Sequence, residues 1–80
     1  MPTRDDLRAA FKDALDLDDS VAIDTLTYRS IEQWDSVAHM VLIAELEDRF
    51  DVMLDTDDVI DMSSFDKAVE ILGKYEVVFE

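Results

Sequence analysis

Eighty residues with 21 acidic against 7 basic side chains carry a formal charge of −14, and a chain this short, which buries only about 60% of its unfolded surface, is too small for a deep catalytic cleft. That charge repels nucleic acid and anionic membranes and makes basic protein surfaces the natural partners, although an acid excess can also serve solubility alone. No cysteine is present, which excludes disulfides and thiolate metal sites, so any thiol chemistry has to be imported.

Hydrophobic residues make up 49% of the chain, with one glycine and one proline. This composition predicts one packed all-α domain over residues 1–80 rather than a disordered acidic tail. The first residues, Met1 to Asp5, lack the basic and apolar blocks of a signal peptide, and no apolar run is long enough to span a bilayer. The expected location is cytoplasmic, and the expected state monomeric.

Thr3 caps a first predicted helix, with Asp5 and Asp6 in its first turn, where the helix dipole favours anions. Leu7, Ala10, Phe11, Ala14 and Leu15 recur at helical spacing as its apolar stripe. Arg4, Arg8 and Lys12 line up separately and read as a solvated face. From Asp18 to Asp35 the periodicity fades. A connection this long needs anchoring, and Val21, Ile23, Leu26, Ile31 and Trp34 are the expected anchors, with a helical turn near Leu26 to Ile31. A second helix is predicted from Ser36 to Phe50. Thr56 caps a short acidic third helix ending near Met62, and Ser64 caps the last, whose Phe65, Ala68, Val69, Leu72 and Tyr75 mark one face. Gly73 weakens its end, and residues 76–80 read as a flexible tail. Three longer helices, a short third one and a long loop between the first two predict an antiparallel four-helix bundle.

The helix after Ser36 is the informative one. At 100° per residue, Leu42, Ile43, Leu46 and Phe50 form a core stripe. On the opposite side Val37, Met40, Val41 and Ala44 form a second apolar patch, which is either covered by the long loop or a partner surface. Ser36 follows Asp35 at the helix start, where serine is a good N-cap and where free amides and the dipole also suit a phosphate group. No enzyme constellation accompanies it. His39, the single histidine, falls on the core-facing side, and without a second histidine or a cysteine no nucleophilic triad assembles. The acids Asp51, Asp55, Asp57, Asp58 and Asp61 lack the glycine and spacing of a calcium loop, so no metal site is expected.

With Thr3 to Leu15 as first helix, a loop with apolar anchors, Asp35, Ser36 and Val37 opening the second helix, then Leu46, Glu47, Asp48, Arg49 and Phe50, a short acidic helix and a final amphipathic one, the chain resembles the acyl carrier protein family of phosphopantetheine-binding carriers. The likeness covers nearly the whole chain. It implies that Ser36, within the Asp35-Ser36 motif, receives 4'-phosphopantetheine from coenzyme A through a separate magnesium-dependent phosphopantetheinyl transferase. The chain would then be a phosphoprotein that carries thioester intermediates and catalyses nothing itself.

The resemblance also implies docking of basic patches on loading, condensing or tailoring enzymes. Here the contact surface would be Val37, Met40, Val41 and Ala44, with charge from Glu45, Glu47 and Asp48. Residues 35–61 hold nine acids and one base. Val37 replaces the family's usual leucine, Ala38 and Val41 replace frequent acids, and Trp34 precedes the motif. These departures resemble carriers of specialised pathways such as polyketide, mixed peptide or activated-extender synthesis; fatty-acid biosynthesis ranks second and a peptidyl or aminoacyl carrier third. The reading of a different class is an acidic helical adaptor that binds a basic protein through the apolar patch, with Ser36 only a cap.

Overall fold

A computed structural model describes residues 2–77 and residue 79. In chain order it contains α1 (Arg4–Leu15), a short 3-10 turn (Ile23–Thr25), α2 (Ser36–Phe50), α3 (Thr56–Asp61) and α4 (Phe65–Lys74). Among the described residues no strand forms, and the one extended pairing is an isolated bridge between Thr27 and Ser64. The Cα radius of gyration is 11.3 Å, as expected for a packed chain of this length (about 12 Å). Among the described residues no helix is long and apolar enough to cross a membrane.

Each long helix starts on a side-chain cap. Thr3 accepts the amide of Asp6, and the Asp6 carboxylate accepts the amide of Thr3 at 2.9 Å, closing a capping box. Ser64 accepts the amide of Lys67 at 3.0 Å and opens α4. At α3 the expected cap is corrected by one residue: Asp55 is the N-cap, makes no side-chain cap bond, and Thr56 is already helical. Six residues are too few to hold a helix by propensity alone, so α3 depends on its tertiary contacts.

The core is built from Leu7, Ala10, Phe11 and Leu15 of α1, Leu42, Ile43 and Leu46 of α2, and Phe65, Ala68, Ile71 and Leu72 of α4. On α4, Ile71 takes the place expected of Val69, which sits at the rim of the buried face. Phe11 is the aromatic hub, edge-on to Trp34 at 5.5 Å and to Phe65 at 5.4 Å. Val77 is also buried and its amide bonds the Leu72 carbonyl at 3.0 Å, while the Phe79 ring meets Phe50 at 5.3 Å. The expected tail is therefore docked at both positions, since two large apolar side chains gain by leaving water; residues 78 and 80 lie outside the described residues.

The long connection is fixed from two sides. Trp34 and Leu26 are buried, with Val21, Ile23 and Ile31 packed against the core. Backbone bonds from Tyr28 to the Ser63 carbonyl (2.7 Å) and from Phe65 to the Leu26 carbonyl (3.3 Å) stitch it to the start of α4. The helical turn expected near Leu26 to Ile31 is instead a β-turn, with Ser30 bonded to the Thr27 carbonyl at 3.0 Å; the helical turn lies earlier, at Ile23–Thr25. Ser30 explains the change, because its hydroxyl also bonds the Thr27 carbonyl at 2.6 Å and so favours a turn over a helix. Nor are the bases of α1 simply solvated. Arg8 grips Asp24 with Nε at 2.6 Å and Nη2 at 2.7 Å, and Lys12 pairs with Asp19, so an acidic loop is drawn onto a basic helix face.

Candidate functional site at the start of the second helix

Serine is a good cap at the start of α2, which runs over the expected Ser36–Phe50, but the cap position belongs to the residue before it. Asp35 is the N-cap: its carboxylate accepts the amide of Ala38 at 2.9 Å. A carboxylate is the better group for this position, because it meets both an orphan amide and the positive end of the dipole. Ser36 becomes the first helical residue, exposed, with its hydroxyl released from capping.

Beneath it the loop and helix are locked together. The buried Trp34 indole donates to Nδ1 of His39 at 3.0 Å, and His39 Nε2 lies 2.7 Å from the Val59 carbonyl oxygen. A donor at one nitrogen and an acceptor at the other select the Nε2–H tautomer. With both nitrogens engaged, His39 ties α2 to α3 and does not serve Ser36 as a base. Tyr28 completes an aromatic cluster, 5.2 Å from His39 and 6.1 Å from Trp34 between ring centres.

Beside the serine, Arg29 donates from Nη2 to Ser36 Oγ at 3.4 Å, and its guanidinium carbon lies 5.5 Å from the Tyr28 ring centre. The Tyr28 phenol is held below its ordinary range, first by the Arg29 guanidinium and then by the Ser36 hydroxyl. Arg29 occupies the third position of the Thr27 to Ser30 turn with φ of 66°, a conformation usual for glycine or asparagine there and costing other residues about 1 kcal/mol. Its amide donates to the Trp34 carbonyl at 3.1 Å, which fixes the turn to the residue two positions before the serine. Sequence reasoning missed Arg29, although it is the one base between Lys12 and Arg49. Only the turn brings it to the hydroxyl.

Next to Ser36 an apolar groove of about 370 Å³ runs between α2 and α3, lined by Tyr28, Ser36, His39, Met40, Val59, Ile60, Met62 and Ser63. The patch opposite the core is left uncovered by the loop. Val37 is 75% exposed and Met40 59% exposed, with Val41 and Ala44 exposed beside them. The acids differ in what they do. Asp48 is exposed and has no side-chain partner among the described residues, Glu45 pairs with Arg49 at 3.0 Å, and Glu47 accepts the amide of Leu54 at 2.9 Å, closing the loop after α2.

One acid of α3 lies away from the surface. Asp58 is only 6% exposed, bonded to Lys74 Nζ at 2.5 Å and to the Tyr75 hydroxyl, which also accepts the Asp55 amide at 3.2 Å. Lys74 first, then Tyr75, hold the Asp58 carboxyl below the usual carboxylate range. This cluster fastens α3, one wall of the groove, to the end of α4. Among the described residues no group of three acidic or histidine side chains is placed to hold a metal ion.

The site thus offers a solvent-facing hydroxyl with a cation beside it, an apolar groove that the same hydroxyl lines, and an uncovered apolar face continuing along the helix. No family model, no curated protein and no solved structure matches this chain.

Proposed function

We propose that the chain is an acyl carrier protein, a carrier rather than an enzyme, that holds acyl or related intermediates on a 4'-phosphopantetheine arm at Ser36. The observation that carries this reading is the Ser36 hydroxyl: exposed in the first helical turn, freed from capping by Asp35, and opening onto an apolar groove. The helices are read as the antiparallel four-helix bundle of such carriers.

Ser36 Oγ attacks the pantetheine-bearing phosphorus of coenzyme A. The phosphoanhydride bond breaks, adenosine 3',5'-bisphosphate leaves with the bonding electron pair, and the serine proton passes to a base of the magnesium-dependent transferase. The arm supplies the thiol this cysteine-free chain lacks and carries cargo as a thioester. Asp35 holds the helix start so that the hydroxyl faces solvent. Met40, Val59 and Ile60 offer an apolar resting place for a carried chain within the size range of small-molecule sites. Val37, Met40, Val41 and Ala44 form the contact face for partner enzymes, and Asp48 with Glu45 and Glu47 supplies the field that draws basic patches to it. The apolar character of that face favours a specialised pathway over primary fatty-acid synthesis.

Incubation with coenzyme A and a broad-specificity phosphopantetheinyl transferase, followed by intact mass measurement, tests the reading. One added arm is expected on the native chain and none on Ser36→Ala. An unchanged native mass would leave the exposed apolar patch as the interface of an adaptor for a basic protein.

A further inference from the structure

Arg29 is distinguished by three observations that the carrier reading does not itself require. Among the described residues four non-glycine positions have positive φ; Asp16, Asp51 and Glu76 close helices, while Arg29 stands in a loop turn. A left-handed arginine is an uncommon choice where glycine fits freely, so the side chain is what the position retains. Next, Arg8, Lys12, Arg49, Lys67 and Lys74 each pair with a carboxylate, whereas among the described residues Arg4 and Arg29 pair with none in a chain of charge −14, and of these two it is Arg29 that bonds the Ser36 hydroxyl. Finally, its Nη2 is 3.4 Å from Ser36 Oγ, a long contact for a neutral hydroxyl, and its backbone is pinned to Trp34. A planar guanidinium is suited to binding phosphate oxygens in pairs.

We infer that Arg29 is the positioning cation for a phosphodiester on Ser36, neutralising its charge and, packed on Tyr28, holding the tether at the mouth of the apolar groove. This rests on the carrier reading. Without the cation, a new anion would be added beside Asp35 in an already acidic segment. With it, the first bonds of the arm are biased toward the groove edge that Tyr28 and Ser36 share.

The test loads the native chain and the variants Arg29→Gln, Arg29→Lys and Arg4→Gln with the arm from coenzyme A, confirms loading by mass and folding by circular dichroism, and reads the phosphorus chemical shift of the diester at rising sodium chloride. The native signal should lie away from that of the same loaded protein unfolded in urea, and should move toward it with salt. Arg29→Gln should lose the displacement, Arg29→Lys should recover part of it, and the charge-matched Arg4→Gln should match the native chain. A signal in Arg29→Gln with native position and salt response overturns the role of Arg29. In the native chain, the nitrogen resonances of the Arg29 guanidinium should shift on loading, and their standing still overturns it without recourse to any variant. A native chain that gains no arm at all overturns the carrier reading and this inference together.

Discussion

The indole N–H of Trp34 donates to Nδ1 of His39 at 3.0 Å, joining the end of the long loop to the first turn of α2. Trp34→Phe keeps most of the buried ring but leaves that nitrogen without its donor. An unsatisfied group at a partly buried position costs about 1–2 kcal/mol. Urea unfolding should show that loss. Trp34→Ala, which removes the edge-on contact with Phe11 as well, should cost about 3–5 kcal/mol, a large part of the stability of so small a domain.

Asp35 and Ser36 should separate stability from modification. Asp35→Ala removes the cap from the Ala38 amide and should lower unfolding free energy by about 1 kcal/mol. Ser36→Ala should change it by less than about 0.5 kcal/mol, as for exposed surface sites in general, while abolishing arm attachment. If Ser36→Ala proved the more destabilising of the two, the hydroxyl would be a cap after all.

The Asp58 cluster predicts a defined acid sensitivity. Its folded carboxyl is depressed by Lys74 and Tyr75, so the stabilisation is present above the ordinary carboxylate range. It is lost as pH falls through the depressed value. Melting temperature should therefore drop below about pH 4, and Asp58→Asn should flatten that part of the profile while lowering stability at neutral pH. Since α3 depends on this cluster, amide exchange in Thr56–Asp61 should accelerate first on acidification.

Docking electrostatics are best probed at Asp48. Glu47 is occupied by the Leu54 amide, so reversing it disturbs the loop as well as the field. Asp48→Lys should lower the second-order rate of arm attachment several-fold at low salt, with little difference at high salt. Equal rates for Asp48→Lys and the native chain at every salt concentration would show that steering does not operate here.

A charge of −14 should make the fold strengthen with ionic strength. Screening of self-repulsion is expected to outweigh loss of exposed pairs such as Arg8 with Asp24, each worth little in water. Moderate sodium chloride should raise the melting temperature. A decrease would mean that those tethers of the long loop dominate.

Helices α1, α2 and α4 are legible in the chain because their signals are local. Thr3 and Ser64 cap where their hydroxyls stand in sequence, and residues three and four apart share a face whatever lies opposite. The seat of Ser36 at the start of α2 is legible for the same reason. Which of two adjacent good caps acts is not, since Asp35 and Ser36 compete for the same amides and only the backbone angles decide.

Sequence by itself therefore determined an acidic, cysteine-free, all-helical chain with a serine opening its second helix and an apolar patch away from the core. Tertiary structure alone decided that the patch stays uncovered, that Asp58 is buried against Lys74, and that Arg29 reaches Ser36 across a left-handed turn. The physical reason is range. Periodicity and capping act within one or two turns of helix, whereas burial, pairing and a groove between α2 and α3 arise only when segments distant in the chain exclude water together.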